Sequence, residues 1–261
     1  MSAAKFIVEL ASQGKYTFTT ADAKNILGCS DIAVRAALRR LRQKGDIAMP
    51  CRGFYVIVPP EYRSLGCLPP EQFIHALMEH QGESYYIGLL SAGLYHGASR
   101  RPPQALQVVV AKNKAPIVCG KIRIEFVARK GVAGIPTVTV NTPRGPVLAS
   151  CPGSTALDLV GYPQHAGGMD NIAMLLSEFA GNIDGDELPR LAELSPVAWA
   201  QRLGYLLDLV GMQVKTKALA GYIARKKPVP AVLATSLPVG NAPKDPKWLL
   251  KINCTIERKL P

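Results

Sequence analysis

Between Asp31 and Gln43 the apolar residues Val34, Leu38 and Leu41 recur at i, i+4 and i+7, and Arg35, Arg39 and Arg42 repeat that spacing one position later. A helical period puts the first set on a buried stripe and the second on a cationic stripe beside it, with Arg40 on the other flank. Ser30 is placed to cap the start of this helix and Gly45 to end it. Upstream, Phe6, Ile7 and Leu10 predict a first helix over 3–13, closed by Gly14, and Thr19 or Thr20 can cap a second over 21–27. Gly28-Cys29-Ser30 is a turn short enough to hold two helices at a steep angle. Downstream, Ile47-Ala48-Met49 and Phe54 to Val58 flank Pro50-Cys51-Arg52-Gly53, which reads as strand, turn, strand. The sequence therefore predicts a helix-turn-helix followed by a wing.

Past this module the pattern changes twice. Pro59-Pro60 and Pro69-Pro70 bracket a short connector, which divides the chain into a winged domain over 1–60, a linker over 61–70 and a larger domain over 71–261. In the larger domain, Glu71 to Gln81 has helical periodicity, and the run from Tyr85 to Ser99 is apolar nearly all round, predicting a buried core helix. Strands follow at Leu106 to Ala111, at Lys121 to Ala128 with strict alternation, at Thr137 to Asn141 and at Val147 to Ala149. Helices return at Ser154 to Val160, Asp170 to Phe179 and Trp199 to Val210. Trp248, Leu250, Ile252, Cys254 and Ile256, two apart, predict a closing strand. Clustered strands followed by clustered helices give an α+β fold: a winged helix-turn-helix, then a mixed domain built on an antiparallel sheet.

Charge sharpens this picture. The formal net charge is +12, distributed as +5 over 1–58, −1 over 59–211 and +8 over 212–261. Two basic ends suit a polyanion, since each neutralised phosphate releases counterions. Arginine supplies donors both for guanine edges and for phosphates. Arg35 and Arg39 are assigned to base edges or the groove floor, Arg42 and Lys44 to phosphate, Arg52 to the wing's reach toward a neighbouring groove or the backbone, and Arg40, Thr19, Thr20, Ser30 and Asp31 to the surrounding DNA contacts. Arg100-Arg101, Lys112 with Lys114, and Arg225-Lys226-Lys227 are further basic runs, of a kind that usually forms solvated faces.

Other chemistries fare poorly. His75, His80, His96 and His165 have no metal-ligand spacing, with one another or with the cysteines at 29, 51, 67, 119, 151 and 254. The cysteines form no C-x-x-C pair, so reduced thiols in a cytosolic protein are expected, with no leader, no membrane span, no cofactor and no metal. Gly153-Ser154 and Asp184-x-Asp186 invite comparison with a nucleotidyltransferase site but stand too far apart. A nucleic-acid-processing enzyme targeted by the winged module is the alternative function, and a small-molecule-sensing transcription factor a third.

The order of segments resembles the AbiEi antitoxins of type IV toxin-antitoxin (abortive infection) systems. The resemblance spans most of the chain: Arg52-Gly53-Phe54-Tyr55 in the wing, Tyr85-Tyr86-Ile87-Gly88, Ser91-Ala92, His96-Gly97, and Val147 to Ser150 leading to Thr155-Ala156-Leu157-Asp158-Leu159. It continues in Gln201 to Leu207 and Trp248 to Asn253. Pro152-Gly153-Ser154 departs from it, where the family carries a Pro-Glu-Arg or Pro-Glu-Lys helix start. The resemblance implies a non-enzymatic, bifunctional protein. Its winged domain would bind double-stranded DNA at promoter repeats of its own operon, with dimerisation on DNA plausible, and its larger domain would neutralise a nucleotidyltransferase-like toxin without a stable complex.

Overall fold

A computed structural model describes residues 2–98 and 103–256. The Arg100-Arg101 pair and residues 257–261 lie outside the described residues. In chain order the elements are α1 (Ala3–Ser12), β1 (Thr17–Thr19), α2 (Thr20–Leu27), α3 (Asp31–Gln43), β2 (Ile47–Cys51), β3 (Phe54–Ile57), α4 (Ile74–Gln81), β4 (Tyr85–Ile87) and α5 (Leu89–Tyr95). Then come β5 (Leu106–Val110), β6 (Ile117–Cys119), β7 (Ile122–Ala128), β8 (Thr137–Thr142), β9 (Gly145–Ser150), α6 (Pro152–Gly161), α7 (Gly168–Phe179), α8 (Leu188–Glu193), α9 (Val197–Leu209) and α10 (Gln213–Lys226). Three two-residue strands finish the described chain: β10 (Ala231–Val232), β11 (Lys244–Asp245) and β12 (Leu250–Lys251). The class is α+β, as the clustering of strands and helices predicts.

The chain divides into two compact, discontinuous units. The first takes Met1–Tyr85, Gln104–Lys130 and Thr139–Leu148. Its winged module has a core of its own in which Phe6, Ile7, Phe18, Val34, Leu38, Leu41, Ile47, Tyr55 and Ile57 are all buried. Phe6, Ile7, Val34, Leu38 and Leu41 among them are positions that helical periodicity marks as inward. β1, too short to stand out in sequence, closes the module by pairing antiparallel with β3, which pairs with β2 in turn. Elsewhere in this unit β5 and β7 run parallel through five paired positions, from Leu106 with Ile124 to Val110 with Ala128, and β6 lies antiparallel on β7. The pairing is thus mixed, with parallel ladders as well as antiparallel ones.

Residues 61–70 contain Cys67 and Leu68, both fully buried. The backbone just before them runs so close to Gly120 that a Cβ at 120 would stand 2.1 Å from the Leu65 carbonyl oxygen, while the Lys121 amide donates to that oxygen at 2.7 Å. Glycine is the residue that fits there, and its φ of +59° suits it as well.

The second unit takes Tyr86–Pro103, Gly131–Val138 and Ala149–Pro261. Its middle is α6, in which Gly153 to Val160 are buried without exception, packed by α5, α7, α8 and α9. Gly153 stands where the resemblance leads one to expect a charged helix start, and a Cβ there would fall 2.5 Å from Leu191 Cδ1. Leu191 of α8 fills the space that a larger residue would need.

Two predicted elements differ, and α10 has no predicted counterpart. The run predicted as one helix from Tyr85 begins as β4, whose Ile87 pairs in parallel with Ala149, and only then becomes α5. An all-apolar run carries no period to tell strand from helix, and aromatic and β-branched residues at its start favour the strand. α10 went unpredicted because its buried Thr216, Leu219, Tyr222 and Ile223 are interleaved with cations. The closing strand shrinks to β12, between β10 and β11, since Leu249 at φ +48° interrupts the extended run just before it.

Candidate nucleic-acid interface

Each helix of the winged module starts where a side chain satisfies its free amides. Ser2 accepts from the Lys5 amide and Ser30 from the Ala33 amide, both at 3.3 Å. Thr19 forms a reciprocal box with Asp22: its hydroxyl accepts from the Asp22 amide at 3.1 Å, while its own amide donates to the Asp22 carboxylate at 2.7 Å. The Thr19 and Ser30 oxygens are therefore engaged in capping. Gly28, at φ +60°, ends α2 in the left-handed conformation and opens the turn.

Across that turn Lys24 of α2 pairs with Asp31 of α3 at 2.7 Å, on the exposed surface. The hydrogen bond and charge of Lys24 hold the Asp31 carboxyl below its ordinary value. Asp31 thus braces the two helices, and its negative charge is partnered beside a surface that is otherwise cationic.

Arg35, Arg39, Arg40, Arg42 and Lys44 are all exposed, and no ion pair to a carboxylate occupies any of them among the described residues. Arg42 makes one weak contact, from Nη1 to Met49 Sδ at 3.9 Å. At the wing, Gly53 adopts φ +83° in the tight β2–β3 turn and leaves Arg52 exposed at the tip. The Thr20 amide donates to the Gly53 carbonyl at 2.9 Å, which ties the wing tip to the start of α2. Arg52 is thereby held on a fixed support near the helix pair.

The predicted cations are accordingly brought together on one module. Thr19, Thr20, Ser30 and Asp31 sit beside them with internal hydrogen bonds or ion pairs. Sequence reasoning missed Lys24 as the brace and Ile32, which is 82% exposed in the first turn of α3.

The remaining basic and catalytic candidates have other surroundings. Lys114 pairs with Glu83 at 2.8 Å, while Lys112, Arg225, Lys226 and Lys227 are exposed. Ser154 is buried in α6, whereas Asp184 and Asp186 lie on an exposed turn in which the Asp184 carboxylate accepts from the Asp186 amide at 3.0 Å. Among the described residues no group of three or more His, Cys, Asp or Glu is placed to hold a metal ion, and no helix is long and apolar enough to cross a membrane.

A short turn between braced helices, a free cationic helix and an arginine-tipped wing define a DNA-binding regulator of the winged-helix class. Residues 5–58 match the family profile described as transcriptional regulator, AbiEi antitoxin, and residues 86–209 match that of the AbiEi antitoxin C-terminal domain. The chain belongs to the AbiEi antitoxin family. Its fold is similar to that in the crystal structure of the RV2827C protein from Mycobacterium tuberculosis, at a TM-score of 0.70 and 18% identity, over 95% of this chain and 90% of that one. No curated protein matches the chain.

Proposed function

We propose that this antitoxin represses its own operon by binding promoter repeats through α3 and the wing, and that it neutralises a nucleotidyltransferase-like toxin in the cytosol without a lasting complex. The reading assigns DNA recognition to residues 1–60 and neutralisation to residues 71–261, with no enzymatic activity of its own. The observation that carries the DNA half is the exposed cationic face of α3, whose arginines are free to meet an anion. Arg35 and Arg39 approach the groove, Arg42 and Lys44 meet phosphates, Arg40 serves the opposite flank and Arg52 extends the footprint from the wing. Two copies on paired repeats would give the protein a symmetric footprint.

A reporter driven by the protein's own promoter, with the full chain supplied in trans, tests this half. Wild-type chain should silence it, and the Arg35→Ala, Arg39→Ala double variant should release it. Unchanged repression by the double variant would exclude α3 as the recognition helix. For the other half, the same double variant should still rescue cells from the toxin encoded beside it. Metal-dependent nucleotide transfer by the purified protein, abolished by Asp184→Ala, would overturn the non-enzymatic reading.

A further inference from the structure

The outer face of α3 is only partly cationic. At 3.6 residues per turn, Ile32, Ala36, Arg39 and Gln43 project from the side opposite the buried Val34, Leu38 and Leu41, and all four are exposed. Arg35 and Arg42 stand to one side of this line and Arg40 to the other. The line that faces most directly away from the core therefore begins with a large aliphatic side chain, then an alanine, and becomes polar only toward the C-terminal half. Ile32 contributes nothing to the module's core at 82% exposure.

In a helix laid along the major groove, the residues opposite the core point at the groove floor, and those of the first turns reach base edges. The floor offers hydrogen-bonding atoms at every base pair but one apolar group, the 5-methyl of thymine. A branched aliphatic side chain in the first turn, with alanine one turn later leaving room for close approach, complements that group and no other on the floor. Arg42 and Lys44, assigned to phosphates, supply the attraction that brings the face into contact. We infer that Ile32 is a specificity-determining residue that reads a thymine methyl in the operator. The inference rests on the assignment of α3 as the recognition helix and adds to it an apolar contact and a base identity.

The test uses the full chain and the best duplex it selects from a random pool. Each thymine of that duplex is replaced in turn by deoxyuridine, which removes only the 5-methyl group. At one or two positions the replacement should weaken wild-type binding about three- to fivefold, the scale of one buried methyl-sized group. Ile32→Ala, at a solvent-facing site that the fold does not need, should bind the normal duplex more weakly and be indifferent to the same replacement. If no thymine is sensitive, or if Ile32→Ala keeps the full sensitivity, while Arg39→Ala still weakens binding, the Ile32 assignment falls and the recognition helix stands. If the Arg35→Ala, Arg39→Ala variant binds as wild type does, or the chain selects no duplex, both fall together.

Discussion

Gly204 and Trp248 are in such close contact that a methyl group on Gly204 would stand 2.2 Å from the indole ring. The other tryptophan repeats the arrangement, with a Cβ at Gly161 falling 2.4 Å from Trp199. Trp248 is also fixed from its edge, because Nε1 donates to Asp208 at 2.8 Å and the same carboxylate accepts from Lys247 and Thr216. The ring cannot retreat without losing that bond. Gly204→Ala should therefore destabilise the protein by about 1–3 kcal/mol or more, the usual cost of forcing an extra carbon into a packed core. Urea titration followed by tryptophan fluorescence would measure it, and a stability equal to wild type would show that the ring has room to move.

The cap on α2 permits a second test. Thr19→Ala removes the hydroxyl from a reciprocal box and leaves the Asp22 amide without its acceptor. A loss of about 1 kcal/mol is expected from such a cap. It should appear as an earlier unfolding midpoint in a denaturant titration, with the slope unchanged.

Salt dependence can separate the arginines of α3. Arg42→Ala, if Arg42 meets phosphate, should weaken binding to all sequences about equally and reduce the slope of log K against log salt by about 0.9. Arg39→Ala should instead relax the preference at one base pair, by about 1–3 kcal/mol if its contact is bidentate. Electrophoretic or fluorescence titrations at several salt concentrations distinguish the two, and identical behaviour of both variants would contradict the division of roles.

His96 gives a pH dependence of known sign. Burial holds its imidazole below the ordinary value, against the opposing pull of the Ser150 carbonyl, to which Nε2–H donates at 2.7 Å. The native ring is thus kept neutral, while the unfolded chain takes up the proton first as pH falls through about 6.5. The stability this group contributes is fully present above that value and is lost as pH falls toward the folded pKa. The slope approaches about 1.4 kcal/mol per pH unit at most. Denaturant melts between pH 7.5 and about pH 5 should decline with this contribution, and His96→Gln should flatten it.

Of the adjacent thiols Cys67 and Cys119, Cys119 should be the more readily ionised. The neighbouring Cys67 thiol holds the Cys119 thiol below its ordinary value, against the opposing effect of burial and with help from the Met49 backbone and the charge of Arg42. Alkylation of Cys119 by iodoacetamide, followed by peptide mass spectrometry, should rise through neutral pH. Cys67→Ala should move that rise toward the ordinary thiol range near 8.5. An unchanged profile would dissociate the two sulfurs.

The winged module was legible because its signals are local. Ser30 caps over three residues, Val34, Leu38 and Leu41 state a period within two turns, and Gly45 marks an end. β1 was not legible, since three residues, Thr17 to Thr19, have meaning as a strand only once β3 lies beside them. The same limit hid the burial of Cys67 and Leu68, whose neighbours around Gly120 are some fifty residues away in sequence. At the interface, periodicity placed the arginines correctly on the exposed face, but it could not distinguish a carboxylate facing DNA from one engaged by Lys24. That required α2 and α3 to meet. Ile32 did have a signal in the sequence, since the helical period places it opposite Val34, Leu38 and Leu41, but a single apolar residue among cations forms no pattern of its own.

The first unit is assembled from three separate stretches, the last of which ends at Leu148. A ribosome making this protein therefore releases a winged module with its own core early, while Cys67 and Leu68 still await partners that have not been synthesised. The reader of DNA can take shape first, but the body that carries it is sealed only after more than half of the chain has emerged. Any attempt to separate the two activities by cutting the chain at one point divides a unit, whichever point is chosen between residues 86 and 148, and point substitutions on an intact chain avoid that damage.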